Sequence, residues 1–161
     1  MRAPGRPNHL VRRFFGSLRA RRPVPEDQLV VAGLLTPAEA ALFWAQPVAD
    51  QSHGVASFRA VIRDQPSRRD LGRAALLHDV GKRHAGLGTM GRSIASALAF
   101  AHIAVSGRYA AYLDHGSLGA ADLRHAGSDP LSIGFAADHH GARPDRIDPD
   151  DWAILVAADG E

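Results

Sequence analysis

Residues 69–82 read Arg69-Asp70-Leu71-Gly72-Arg73-Ala74-Ala75-Leu76-Leu77-His78-Asp79-Val80-Gly81-Lys82. Leu71, Ala74, Ala75 and His78 recur at i, i+3, i+4 and i+7, the spacing of a helix with one face turned inward. The glycine of Val80-Gly81 stops that helix. A histidine therefore points the same way as the core, and an aspartate follows it at the helix end. There both side chains can bend onto a single ion. Imidazole beside carboxylate suits a hard-to-borderline divalent cation.

The same logic recurs on either side of this segment. Towards the C-terminus, His139-His140 ends a predicted helix over 130–140 that is opened by Asp129-Pro130 and closed by Gly141. Its inward stripe is read as Ile133, Ala136, Ala137 and His140. A last helix, 149–159, opens at Asp148-Pro149, and Trp152, Leu155, Val156 and Asp159 share one face. That stripe carries a carboxylate to the buried side, where it needs a cation or must protonate. His115 opens a helix expected over about 117–126, after a short one over 107–113. Towards the N-terminus, Thr36-Pro37-Ala38-Glu39 is a capping box that starts a helix ending near Pro47. A helix over 48–63 follows, with Val48, Val55, Phe58 and Ile62 on one face and His53 among Ala49, Ala56 and Ala60. Those small neighbours are expected to let another helix approach. The stretch 84–100 reads as a loop leading into a helix around 92–104. No segment alternates with period two, and no internal repeat is present. The expected fold is all-α, a single-domain helical bundle over residues 26–161, preceded by a basic arm or helix over 1–25.

Composition narrows the chemistry. The 161 residues are 45% hydrophobic and 22% charged, with no cysteine, which fits one globular domain without disulfides or thiolate metal sites. Any metal must be held by imidazole and carboxylate. No apolar run approaches the roughly 18 residues of a membrane span, and no signal-type h-region is present, so a cytoplasmic, bacterial protein is expected. Residues 1–25 carry Arg2, Arg6, Arg12, Arg13, Arg19, Arg21 and Arg22 and no acid. Such an arm can meet nucleic acid or an anionic surface, or lie on the core through Leu10, Val11, Phe14, Phe15 and Leu18. Eighteen of the 19 basic residues are arginine, and the exception is Lys82.

His53, then His78-Asp79 within Leu76-Leu77-His78-Asp79-Val80-Gly81-Lys82, then Asp159 resembles the H…HD…D signature of the HD-domain metal-dependent phosphohydrolases. With His115 and His139-His140 the series is similar to the H…HD…H…HH…D arrangement of two-metal members, over about residues 36–161. The resemblance implies a helical bundle of the HD type holding one or two divalent ions (Mn, Fe, Ni, Co, Zn or Mg). His53, His78, Asp79 and Asp159 would hold the first, with Asp79 bridging to a second held by His115, His139 and His140. Lys82 matches a lysine that contacts substrate phosphate. Asp79 and Lys82 are thus the expected catalytic pair, with Arg83, Arg143 and Arg146 as candidate phosphate clamps. The implied reaction is in-line attack of metal-bound hydroxide on a nucleotide or another phosphate ester. Gly141-Ala142-Arg143-Pro144 stands where the cyclic-dinucleotide phosphodiesterases carry Gly-Tyr-Pro, and Ala49 stands where trimetallic relatives carry a glutamate, so at most two metals are expected. The alternatives are a catalytically inert nucleotide-binding or signalling module, and a purely structural metal site.

Overall fold

The computed structural model describes residues 22–160, and the amphipathic stretch expected at 9–20 lies outside them. Among the described residues nine α-helices follow one another: α1 Pro25–Leu34, α2 Pro37–Trp44, α3 Val48–Asp64, α4 Arg69–Leu77, α5 Thr89–Phe100, α6 Gly107–Leu113, α7 His115–His125, α8 Pro130–Asp138 and α9 Pro149–Asp159. A 3₁₀ turn, Val80–His84, joins α4 to the segment leading into α5. No strand occurs among the described residues, and the fold is a single all-α domain. No helix there is long and apolar enough to cross a membrane.

The bundle is built around α4, which packs on α3, α8, α9 and α2. This helix is short, yet it feeds two cores. Leu76 and Leu77 join Val31, Leu34, Phe43, Val55, Val80 and Leu123, while Leu71, Ala74 and Ala75 join Val61, Phe135, Ile147 and Leu155. The inward stripe expected for α4 is present, and His78 at its end is fully buried. α7 packs on α8 and on the 3₁₀ turn. α5 and α6 form a hairpin outside the main bundle, with its own small core of Ala85, Leu87 and Ala95 beneath Tyr109 and Tyr112.

Helix starts follow the chemistry of their first residues. Glu39 Oε2 accepts the Thr36 N–H at 2.9 Å and Thr36 Oγ1 accepts the Glu39 N–H at 3.3 Å, the reciprocal pairing expected of that capping box. The Ser128 hydroxyl donates to Glu39 Oε1 at 2.7 Å, so this fully buried carboxylate is satisfied. Asp129 caps α8 and Asp148 caps α9.

Four sequence expectations need correction. α1 has no counterpart among the helices expected from sequence; Pro25 is its first helical residue and Asp27 accepts the Val24 N–H. α5 begins at Thr89, three residues before its expected start, and ends at Phe100. The buried stripe of α8 is Ser132, Phe135, Ala136 and His139, one position off the expected set. Phe135 takes the core side because it wedges between Trp152 and the His78 ring, with centroids 5.6 and 5.8 Å away. Ser132 tolerates burial because its hydroxyl and N–H are both bonded to Asp129. Finally, the residue that lets α4 close on α3 is Gly54, since a Cβ there would stand 2.8 Å from the Leu76 carbonyl oxygen. Ala56, expected in that role, is exposed.

Candidate metal centre

Four helix ends and one helix face converge on a single polar hollow in the bundle. His78 and Asp79 come from the end of α4, His115 from the first residue of α7, His139 and His140 from the end of α8, Asp159 from the end of α9 and His53 from the middle of α3. All seven expected ligands are brought together. His53 Nε2 lies 2.7 Å from Asp159 Oδ1 and 4.0 Å from Asp79 Oδ2. His78 Nε2 lies 3.1 Å from Asp159 Oδ1 and 3.4 Å from Asp79 Oδ2. The other oxygen, Asp79 Oδ1, faces His115 Nε2 and His139 Nε2, each at 3.4 Å. His140 Nε2 completes that side, 3.2 Å from His115 Nε2.

Three of the imidazoles are aimed by the same device. His78 Nδ1 pairs with the Ala75 carbonyl at 2.8 Å, His115 Nδ1 with Tyr112 at 2.7 Å and His139 Nδ1 with Ala136 at 3.0 Å. Each carbonyl lies three residues back, where the helix end leaves it free of an N–H partner. Such a bond places the proton on Nδ1 and turns the Nε2 lone pair inward, the outer-shell arrangement of a metal-ligating histidine. Glycines make the convergence possible. A Cβ on Gly81 would stand 1.9 Å from the His115 carbonyl oxygen, and one on Gly116 would stand 2.9 Å from that of Ala137.

Two groups of donors can hold a metal ion: Asp79 with His115, His139 and His140, and Asp79 with His53 and His78, each set with its ligand atoms within 4.8 Å of one another. Asp159 adds a carboxylate oxygen to the His53–His78 set, the first set. Donor atoms about 2.0–2.2 Å from a common ion stand up to roughly 4.4 Å apart, so both sets come within a few tenths of an ångström of the size an ion requires. The fit is supported by two buried atoms. His78 Nε2 and Asp79 Oδ1 are buried without a well-formed hydrogen bond, although charged or ring-nitrogen neighbours stand 3.1–3.4 Å away, an arrangement that a cation among them would complete.

Electrostatics are tuned to cation binding. Burial pushes His78 down, but the Asp79 and Asp159 carboxylates outweigh it and hold its pKa up at about 10. Burial would raise Asp79, yet His78 and Lys82 keep it well below the ordinary carboxylate range. Asp159 is likewise held low against burial, by His78 and His53. Burial lowers His115 and His139 despite Asp79 beside them, so both are neutral and ready to ligate near neutral pH.

A proton on His78 therefore does the balancing that a metal would do, and the two compete. In the metal-free protein the His78 contribution to stability is complete below its ordinary 6.5 and fades as pH rises towards about 10. The Asp79 and Asp159 contributions run the other way, being present above the ordinary 3.8 and lost in acid. Added Mn²⁺ or Zn²⁺ should accordingly raise the melting temperature more at about pH 8 than at about pH 6. A thermal shift that is absent, or that shrinks as pH rises, would contradict this assignment.

Comparison with protein-family models, curated proteins and solved structures finds no match.

Among the expected phosphate contacts, Lys82 is at the centre. It is 3% exposed and its ammonium is paired with Asp79 Oδ2. The arginines are placed elsewhere. Arg83 pairs with Asp122 at 2.8 Å, Arg143 donates to the Ile147 carbonyl at 2.5 Å, and Arg146 pairs with Asp138. Arg146 also lines a separate open cleft with Arg69, Arg73 and Asp148. One cation beside the centre escaped the sequence reading, namely Arg92 on α5. Asp50, one turn before His53, binds it through two hydrogen bonds of 2.6 Å. The available signal was its isolation, since Arg92 is the only Asp, Glu, Lys or Arg between residues 84 and 107.

Proposed function

We propose that the chain is a cytoplasmic metal-dependent phosphohydrolase that binds two divalent cations and cleaves a nucleotide or another phosphate mono- or diester. The observation that carries this reading is Asp79, whose two oxygens face two separate histidine sets. A structural site closes around one ion with four protein ligands and commonly uses cysteine. Here a shared carboxylate joins two open sets without thiolate, the chemistry of hydrolytic two-metal centres. The order of ligands along the chain, which resembles the HD-domain series, supports the same reading.

When bound, such cations activate water and neutralise charge on the phosphoryl group. The chain's residues do the positioning. Asp79 fixes the spacing of the two sets, and the carbonyls of Ala75, Tyr112 and Ala136 hold the imidazoles in the ligating tautomer. The Phe135 ring packs 5.8 Å from both His78 and His139, which keeps bulk water from the buried side. Lys82 adds a positive charge beside Asp79. The test is turnover of bis-p-nitrophenyl phosphate, p-nitrophenyl phosphate and a nucleotide panel by protein purified without chelators. Hydrolysis should disappear with EDTA and return with Mn²⁺. No turnover with any of the six metals, in protein shown to be loaded, would remove the enzyme reading and leave the inert binding module.

A further inference from the structure

We propose that Arg92 is the anion clamp of this centre, gripping a phosphate oxygen of the bound ester and of the phosphate product; this rests on the phosphohydrolase reading above. Two independent tethers fix where the guanidinium lies. On one side Asp50 holds both of its Nη atoms, and Asp50 stands three residues before His53 on α3, so the pair shares the face of the first ligand set. On the other side Arg92 Cζ lies 6.0 Å from the centroid of the Tyr112 ring. That ring stacks on His115 with centroids 5.9 Å apart and planes 29° from parallel. Arg92 on α5 thereby reaches a neighbour of each set, Asp50 on the helix of His53 and Tyr112 against His115. Asp79 is among the charges that raise its pKa, which agrees with that placement.

The donor inventory points the same way. A guanidinium has five N–H donors. Nε–H goes to the Leu87 carbonyl at 3.0 Å, and two Nη–H groups go to Asp50. The remaining two have no partner among the described residues, although the side chain is only 15% exposed. Two donors of a half-buried guanidinium thus remain open to a ligand, and a tetrahedral oxyanion is the ligand whose geometry a guanidinium fork matches. Arg83, Arg143 and Arg146 are committed to Asp122, a loop carbonyl and Asp138, so they do not compete for this role. Asp50 and Leu87 hold the fork in one orientation before ligand arrives, which reduces the ordering cost of binding.

A merely structural Arg92 would tie the hairpin to α3 and nothing more, and calorimetry separates the two roles. Inorganic phosphate is titrated into Mn²⁺-loaded wild type, Arg92→Lys and Arg92→Gln, with metal content and melting temperature measured on the same samples. The expected result is a phosphate dissociation constant raised about tenfold in Arg92→Lys and further in Arg92→Gln, at unchanged metal content. Unchanged phosphate affinity in loaded variants, with or without a lower melting temperature, overturns the clamp. Should the variants fail to fold or load, Zn²⁺-loaded wild type carrying ¹⁵N-arginine decides. The Arg92 Nε–H resonance should move on addition of phosphate, and a resonance that stays put refutes the proposal. Wild type that binds no metal, or binds phosphate equally well without it, sinks the phosphohydrolase reading itself and the clamp with it.

Discussion

Replacing Asp79 by alanine should empty both halves of the centre at once, taking bound metal from about two equivalents to near zero. No other single ligand should do this. Asp79 Oδ2 faces His53 and His78 while Oδ1 faces His115 and His139, so one side chain belongs to both sets. His53→Ala removes a donor from the first set only, and His140→Ala from the second only; each should leave about one equivalent bound. The same substitution strips the Lys82 ammonium of its carboxylate partner at a position only 3% exposed. Breaking a buried pair by removing one partner costs on the order of 3–5 kcal/mol, so Asp79→Ala should also melt at a lower temperature. Asp79→Asn keeps the volume and separates packing from charge. Metal analysis of the three alanine variants is the measurement, and Asp79→Ala retaining two equivalents would remove the shared-carboxylate assignment.

Parts of this centre are legible in the sequence because helix ends carry their own signals. His78-Asp79 and His139-His140 each close a helix that stops at glycine, and Asp159 rides a strong apolar stripe. Proline-opened helices at Pro37, Pro130 and Pro149 declare themselves through local chemistry that tertiary packing does not override. What is not legible depends on neighbours distant in sequence. The face of α8 is set by Phe135 meeting Trp152 and His78, contacts that no local period encodes. Ser132 reads as polar and so appears outward, until Asp129 is seen to satisfy it. Arg92 lies in a stretch of glycine, alanine and serine that gives little periodicity, and its meaning comes from partners such as Asp50, 42 residues earlier, and Tyr112. Arg83, Arg143 and Arg146 look like clamps in the sequence because guanidinium suits phosphate. Folding gave each of them to a different acceptor.

Gly81→Ala should be the most damaging substitution of a residue that carries no functional group. A Cβ there would stand 1.9 Å from the His115 carbonyl oxygen, 2.5 Å from the Gly119 nitrogen and 2.9 Å from the His115 carbonyl carbon. All three are backbone atoms of α7, so no rotamer change relieves the clash and the helix itself must retreat. Overpacking of this kind costs about 3 kcal/mol where backbone must shift, roughly a 10 °C fall in melting temperature for a domain of this size. The functional effect should be selective. α7 carries His115, and its withdrawal from Asp79 opens the second ligand set, while His53, His78 and Asp159 stand on other helices. A loss of about one metal equivalent, rather than two, is therefore expected from protein that remains folded. Gly33→Ala is the control. It lies in α1, a Cβ there meets nothing within 4 Å, and alanine in a helix is neutral or stabilising by up to about 1 kcal/mol. If Gly81→Ala melts with wild type and keeps both equivalents, the 3₁₀ turn and α7 do not lie as close as described. The second half-site would then have to be built some other way.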